Sequence, residues 1–219
     1  ISLFKKSLFM IHSHTDRHGS IIASADSGML QSGRDTYGYV WPRDGAFSMM
    51  AFIRTGDGNI AERFFNFCSS IITEDGYFMH KYRADGSLGS SWHPWMRGGK
   101  IELPIQEDET ALVLIALWHY YTHTKDLEFI ESVYNTLIIK AADFMVGYRD
   151  PKTRLPKASY DLWEEKFGIH TFTAASVYGA LIAASKFSKL LGKEKSEHVY
   201  SAAAFEIKLA MLTYLYDEP

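Results

Sequence analysis

The sequence predicts an all-α fold, a toroid of αα-hairpins, and three observations lead to this prediction. Apolar residues recur at steps of three and four through residues 126–149, the spacing of one apolar stripe on a helix. Residues 108–124 and 171–187 are apolar on almost all sides, as expected of helices packed on both faces. Short connections such as Lys125-Asp126 favour antiparallel hairpins in which inner and outer helices alternate.

The rest of the chain adds helices and Gly-rich loops to this pattern. Four more helices are predicted, near residues 3–16, 43–55, 58–73 and 194–215. Gly-rich loops lie at 33–38 and 85–100, and the Asp85-Gly86 pair predicts a small β-hairpin in the second of them. Strand content is therefore expected to be minor.

Composition excludes several classes of protein. Apolar residues make up 47% of the 219 residues and charged residues 22%, which is typical of a globular domain. The net charge is −3 and no run of Lys or Arg exceeds a pair, so neither nucleic acid nor a membrane is an expected partner. The single cysteine, Cys68, excludes an internal disulfide and a multi-cysteine metal site, and it fits a reducing compartment. We expect burial of Cys68, a cytoplasmic location, no metal and no cofactor.

Three polar clusters each precede a predicted inner helix. They are "YGYVWPRDG" before residues 43–55, "ELPIQEDET" before 108–124 and "SYDLWEEKFG" before 171–187. Because loops at one end of a toroid meet where its inner helices begin, we expect the clusters to lie together. Carboxylates and Arg can fix sugar hydroxyls while aromatic rings cover apolar ring faces, so the mixture favours a carbohydrate site. The aromatic and charged candidates are Tyr37, Tyr39, Trp41, Arg43, Asp44, Trp92, Trp95, Asp161, Trp163, Glu164 and Glu165.

Each cluster also has a structural interpretation. Asp161 and Glu164 are spaced as in a capping box at a helix start. Pro42 suits the first turn of a helix, and Arg43 with Asp44 then forms a surface ion pair of little energetic weight. The acidic run in "QEDET" is also typical of a solvated helix start. The shared position of the clusters in the hairpin order favours the functional interpretation.

The motifs "YVWPRDG", "QEDETAL" and "YDLWEE", in this order, resemble the catalytic domain of glycoside hydrolase family 15. This is the glucoamylase, glucodextranase and trehalase group, and the region "GGKIELPIQ" is more similar to its prokaryotic branch because a tryptophan of the fungal enzymes is missing. The resemblance implies an (α/α)6 barrel. It also implies an inverting, exo-acting hydrolase that releases β-glucose from the non-reducing end of an α-glucoside.

The resemblance assigns roles to individual residues. Glu164 matches the general acid, and Glu165 the carboxylate that binds sugar on the leaving-group side. Arg43 and Asp44 match the pair that holds the hydroxyls of the glucose being released. The remaining implied contacts are Tyr37 near the attacking water, Asp161 as a supporting acid, and Leu162 and Trp163 around the cleaved bond. The missing tryptophan leaves the stacking role to Trp92 or Trp95, and Trp41 is a further possible site residue. We expect burial beside Trp163 and neighbouring carboxylates to raise the pKa of Glu164.

The resemblance also implies that part of the catalytic domain is missing. No residue matches the family's catalytic base, so residues 1–219 are expected to be the N-terminal part of the barrel, about its first half, without its second half or a β-sandwich domain. Such a piece should be inactive alone, and its exposed apolar inner helices should cause either dimerisation or poor solubility.

The sequence does not determine which glycosidic linkage is cleaved. The motifs suit an α-glucan oligosaccharide as well as an α-linked disaccharide such as trehalose. A non-catalytic carbohydrate-binding or regulatory barrel and a phosphorylase are further alternatives. A metal site at His12, His14 and His18 is disfavoured, because steps of two do not share a helical face.

Overall fold

A computed structural model describes residues 2–25 and 37–217 of the chain. Its α-helices are α1 (Leu3–Ser13), α2 (Pro42–Thr55), α3 (Gly58–Ile71), α4 (Glu107–Thr124), α5 (Leu127–Val133), α6 (Ile139–Gly147), α7 (Thr171–Leu190) and α8 (Glu194–Tyr214). The predicted loop at 33–38 lies largely outside the described residues. Within the described parts of the chain, no helix is long and apolar enough to cross a membrane.

The helix ends follow local chemistry. Pro42 occupies the first turn of α2, where its missing N–H costs nothing, and α2 ends at Gly56 in the left-handed conformation, with φ of 90°. The Asp126 carboxylate caps α5 by accepting a hydrogen bond from the Phe129 N–H at 2.9 Å. The single helix predicted over 126–149 is interrupted, because a π-helical turn (Tyr134–Ile138) separates α5 from α6.

The few strands form two short antiparallel hairpins. Strand β1 (Met96–Arg97) pairs with β2 (Lys100–Ile101), and β3 (Ser159–Tyr160) pairs with β4 (Phe167–Gly168). The turn predicted at Asp85-Gly86 is present: Tyr82 and Leu88 form an isolated bridge, and Gly86 has a φ of 83°. The prediction of minor strand content is therefore confirmed for the described residues.

The helices form two layers, with α2, α4 and α7 side by side in one of them. Helix α4 packs against both α2 and α7, whereas α3, the α5–α6 pair and α8 cover them from the other side. The core between the layers includes the fully buried Phe52, Phe64, Phe65, Leu114, Leu117, Leu137, Cys68 and Phe187. The predicted alternation of inner and outer helices is confirmed, as is the burial of Cys68.

Gly45 explains how closely α2 and α3 approach each other. A Cβ atom at this position would lie 2.3 Å from the ring of Phe64, so a larger residue would push α3 away. The last residue of "WPRDG" therefore contributes to helix packing.

Among the helices, the first and the last carry most of the exposed large apolar side chains. Leu3 and Phe9 of α1 are 81% and 71% exposed, and Phe205 and Leu212 of α8 are 59% and 57% exposed. Most residues of α4 and α7 are buried, so the exposed apolar surface of the inner helices is limited to side chains such as Phe47 of α2 and Phe172 and Leu190 of α7. Self-association of the chain stays a prediction.

Candidate active site

The loops before α2, α4 and α7 meet at one end of the helical layers. Nη1 of Arg43 lies 2.9 Å from Oδ2 of Asp108, which joins the start of α2 to the start of α4. The side-chain amide of Gln106, just before α4, donates a hydrogen bond to the carbonyl of Asp161 in the loop before α7. The structure thus brings together the three sequence clusters as predicted from the hairpin order.

The "SYDLWEEKFG" segment is a β-hairpin, so its interpretation as a helix start is wrong. Its turn joins β3 to β4, and α7 begins only at Thr171. The Asp161 carboxylate accepts hydrogen bonds from the backbone N–H groups of Glu165 and Lys166, at 2.8 and 3.0 Å. Burial raises the pKa of Asp161, but these backbone donors and nearby positive charges together outweigh it, and the pKa is lowered. Asp161 therefore holds the turn together as a carboxylate.

Glu164 occupies a strained position at the tip of this turn. Its φ of 62° is in the left-handed region, which residues with a Cβ seldom adopt. Strain of this kind persists where surrounding contacts enforce it, and it is common at functional sites. Here the Asp161 hydrogen bonds enforce the turn, and the side chain of Glu164 is only 13% exposed.

A cleft of about 260 Å³ contains Glu164 and most of the predicted site residues. Its lining consists of Ala23, Tyr37, Trp41, Arg43, Asp44, Trp92, Leu162, Trp163 and Glu164. Trp95, Asp161 and Glu165 do not line it; Trp95 is half exposed and Asp161 faces its own turn. A larger cleft of about 390 Å³ lies between α1 and α2, but its walls are mainly apolar and it does not include Glu164.

The environment of Glu164 lowers its pKa, contrary to our expectation. Burial raises this pKa, but Nε2 of His80 lies 2.9 Å from Oε2 of Glu164, and the charge of Arg43, together with that of His93 when its ring is protonated, acts in the same direction as His80. The net shift is downward. The expectation was wrong because it considered the carboxylates that adjoin Glu164 in sequence, whereas cationic groups from other segments face it in space.

Arg43 is the buried centre of the site, so its interpretation as part of a surface pair is wrong. Its backbone N–H donates to Oε2 of Glu109 at 2.7 Å, whereas its guanidinium is 4.0 Å from the half-exposed Asp44. Burial lowers the pKa of Arg43, but Glu109 and Asp108 more than offset this and the pKa is raised. Arg43 therefore stays charged and fixed.

The acidic run at the start of α4 is buried, so it is not a solvated helix start. Glu107, Asp108 and Glu109 have no exposed surface. Burial raises the pKa of all three, with the charge of Arg43 opposing it for Asp108 and Glu109. Asp108 and Glu109 anchor Arg43 below the cleft, a role that the sequence analysis did not assign to them.

Comparison with known proteins agrees with this geometry. The profile of glycosyl hydrolases family 15 matches residues 6–214, almost the whole chain. The chain belongs to glycosyl hydrolases family 15. An uncharacterized glycosyl hydrolase of Methanocaldococcus jannaschii is 32% identical over 196 residues, and Trehalase 2 of Sulfolobus acidocaldarius is 28% identical over 215 residues. These matches cover 88% and 89% of this chain but only 28% and 36% of the two relatives.

Solved structures show the same fold. A bacterial glucoamylase solved with acarbose has a TM-score of 0.73 at 21% identity, over 94% of this chain and 28% of that one. Glucoamylase from Saccharomycopsis fibuligera has a TM-score of 0.73 at 19% identity, over 93% of this chain and 47% of that one. The predicted fold class, part of the (α/α)6 barrel of glucoamylases, is confirmed for this family 15 chain.

Sequence reasoning missed three groups in this family 15 site: His80, Lys81 and His93. His80 and His93 are almost fully buried beside Glu164, and Nζ of Lys81 lies 3.8 Å from the centre of the Trp92 ring. His80 and Lys81 lie in the segment "FMHKY". His93 lies in "SWHPW", between the predicted site residues Trp92 and Trp95, and this neighbourhood was the available signal. Their position in the site could not be predicted from helical or strand periodicity, because both segments lie in the irregular connection between α3 and α4.

His80, His93 and Glu164 offer metal-ligand atoms within 4.8 Å of one another. Ring stacking opposes their use as a preformed metal centre. The His93 ring lies between Tyr160, at 3.7 Å and 7°, and His80, at 4.2 Å and 27°. An imidazole binds a metal in the plane of its ring, and rings stacked nearly parallel do not direct their nitrogens at one point. The geometry suits a packed aromatic wall beside Glu164.

Proposed function

We propose that this chain carries the general acid and part of the glucose-binding site of an inverting, exo-acting α-glucoside hydrolase that releases β-glucose. The observation that carries the proposal is the position of Glu164, whose carboxylate lines a sugar-sized cleft together with Arg43 and Asp44. Glycoside cleavage requires a carboxylic acid that protonates the leaving oxygen. Family membership supports the reaction class and leaves the substrate as a proposal.

The walls of the cleft supply the groups that a glucose unit needs. The buried Arg43 and the half-exposed Asp44 present a fixed charge and a hydroxyl acceptor at the floor. Trp41 and Trp92, with ring centres 6.1 Å apart, provide apolar surface for the faces of a sugar ring. In this proposal Tyr37, Leu162 and Trp163 contact the substrate, Glu165 binds the sugar on the leaving-group side, and Asp161 supports the turn.

The catalytic base is proposed to lie outside residues 1–219. Among the residues that line the described cleft, Asp44 is the carboxylate other than Glu164, and it is assigned to glucose binding. An inverting enzyme needs its second carboxylate roughly 6.5–9.5 Å from the acid, with a water between them. The chain spans 28% and 36% of two relatives, which supports a longer protein, and residues 1–219 are expected to be inactive alone.

The proposed substrate is an α-glucan oligosaccharide, and trehalose is the second candidate. The sequence similarity to glucoamylases of Clostridium sp. and Rhizopus oryzae favours the first. The 28% identity to Trehalase 2 over 89% of this chain favours the second.

Glucose release by the full-length protein tests the proposal. Maltotriose, isomaltotriose and trehalose are supplied in parallel, and the anomer formed first is followed by NMR. We expect β-glucose from one of them and a loss of about 10²–10⁴-fold in kcat in Glu164→Gln. Glu131→Gln, on the exposed face of α5, is the matched control and should retain full activity.

Three outcomes would contradict the proposal. Unchanged turnover in Glu164→Gln would remove the acid role. Release of α-glucose would exclude inversion. No release from a folded protein that still binds these sugars would instead support a carbohydrate-binding barrel.

A further inference from the structure

Within the proposed hydrolase, we infer that His80 is a positioning residue that holds Glu164 and stores the proton that Glu164 delivers to the leaving group. The inference rests on the proposed function of Glu164 and extends it. Nε2 of His80 lies 2.9 Å from Oε2 of Glu164, so the pair is close enough to share one proton.

The surroundings of His80 fix its ring in this direction. The residue is 1% exposed, and Nδ1 lies 3.5 Å from Oγ of Ser91. One face stacks on His93, and the rings of Trp41 and Trp92 lie 6.1 and 5.1 Å away. Since Nδ1 points to Ser91, Nε2 is the nitrogen available to Glu164. Nε2 of His80 and Oε2 of Glu164 form a close contact at 2.9 Å, and neither atom has an aligned hydrogen-bond partner among the described residues.

A shared proton resolves a conflict in the proposed mechanism. A general acid must carry a proton, yet the pKa of Glu164 is lowered because neighbouring cationic groups outweigh its burial. Without substrate, Glu164 therefore favours the carboxylate form. A proton on Nε2 of His80 then remains one hydrogen-bond length from the oxygen that needs it.

Substrate binding would move this proton. A sugar in the cleft displaces water, and the loss of water favours the neutral forms of both groups. The proton leaves Nε2 of His80 and bonds to Oε2 of Glu164, and both groups become neutral. Glu164 passes it to the glycosidic oxygen as the bond from that oxygen to the anomeric carbon breaks. The proposed base takes one proton from the attacking water, and the pair regains one proton from solvent.

The other charged groups do not replace His80 in this role. They are Arg43 and Asp44 at the start of α2, Lys81 and His93 between α3 and α4, and Asp161 in the hairpin turn. Burial, assisted by the charge of His80, lowers the pKa of His93 to about 4, so that ring is neutral near pH 7. Arg43 is held by Asp108 and Glu109, and the Lys81 ammonium lies over the Trp92 ring. Asp161 accepts hydrogen bonds from its own turn.

The pH profile of kcat/KM in the full-length protein tests the inference with His80→Gln. In the wild type, activity on the alkaline side is lost when the pair releases its shared proton. The Gln amide can still donate to Glu164 but stores no proton, so the alkaline limb is set by Glu164 alone and moves to lower pH. We expect a shift of about one pH unit or more: kcat/KM falls at least ~10-fold at pH 7 and stays within ~3-fold at pH 5.

Controls separate this role from a structural one. His123→Gln, on the exposed end of α4, should keep the wild-type profile. An equal loss at every pH in His80→Gln would show that His80 only supports the fold, and an unchanged profile would also overturn the inference. If Glu164→Gln kept its turnover, the proposed function itself would fail, which is a separate result.

A measurement on the wild-type protein covers the case in which His80→Gln does not fold. The 15N shifts of the His80 ring, assigned through its own backbone amide, are followed with pH in the absence of sugar. We expect both ring nitrogens to be protonated at pH 6. A neutral ring at that pH would overturn the inference.

Discussion

Arg43 and Glu109 are joined twice across the start of two inner helices. The backbone N–H of Arg43 donates to Oε2 of Glu109 at 2.7 Å, and Nη1 lies 3.3 Å from Oε1. Because the same guanidinium binds Asp108 at 2.9 Å, one cation balances two buried carboxylates. This contact fixes α2 against α4 directly below the cleft.

Removal of the Arg43 charge is therefore expected to destabilise the protein. Arg43→Met would leave Asp108 and Glu109 buried without a counter-charge, at a cost of about 3–5 kcal/mol in the free energy of unfolding. Urea denaturation measures this free energy. Arg54→Met, on the exposed end of α2, is the matched control and should change it by less than about 0.5 kcal/mol. Equal stability of the two variants would show that the contact does not fix the helices.

Glu107 makes stability depend on pH in the direction opposite to most carboxylates. Neither oxygen of Glu107 has a hydrogen-bond partner among the residues that the structure describes, and this burial, helped by Asp108, raises its pKa well above 4.5. The folded state therefore binds more protons than the unfolded state. The stabilisation is complete below about pH 4.5 and is lost as the pH rises through the folded pKa, by up to about 1.4 kcal/mol per pH unit.

Glu107→Gln tests this relation, because the amide keeps the shape of the acid without the titration. We expect the variant to lose less stability than the wild type between pH 5 and pH 8 in urea denaturation. Parallel pH curves for the two proteins would contradict the burial of an uncharged Glu107. Glu131→Gln, at an exposed position, should follow the wild-type curve.

Asp161 is expected to act on catalysis through the turn that carries Glu164. Asp161→Ala removes the acceptor of the Glu165 and Lys166 N–H groups, so the strained backbone at Glu164 can relax. We expect about a 10²-fold lower kcat, the effect of a small displacement of a reacting group, with a stability loss of only about 1 kcal/mol. Asp161→Asn keeps one oxygen acceptor and should restore part of kcat. An inactive Asp161→Asn with a normal melting temperature would indicate that the charge acts directly.

Trp92 and Trp95 provide a matched pair for the role of aromatic surface in binding. Both are about half exposed, but Trp92 lines the cleft and Trp95 does not. We expect Trp92→Ala to raise KM by about 10-fold, through the loss of about 1.4 kcal/mol of contact, while Trp95→Ala stays near the wild type. The two variants are compared in steady-state kinetics on whichever sugar releases glucose in the assay of the full-length protein. A larger increase in KM for Trp95→Ala than for Trp92→Ala would instead assign the stacking surface to the region of the β1–β2 hairpin.

The sequence predicted the site more fully where its residues are close together in the chain. The local motifs supplied Arg43, Asp44, Trp163 and Glu164, which the structure places at one cleft. Their catalytic roles stay predictions. His80 and His93 were missed because they come from an irregular connection, and no period relates such residues to a distant turn. The pKa direction of Glu164 was predicted wrongly for the same reason, since the groups that set it are distant in sequence.

By itself, the sequence determined the helical layers, their antiparallel order and the end at which the polar clusters meet. Those features follow from apolar periodicity, short connections and Gly or Pro at helix ends, all of which act within a few residues. Only the tertiary structure decided that "QEDET" is buried, that "SYDLWEEKFG" is a hairpin turn, and that His80 faces Glu164. Burial, long-range hydrogen bonds and charge effects depend on which segments meet in space, and a one-dimensional pattern does not contain those distances.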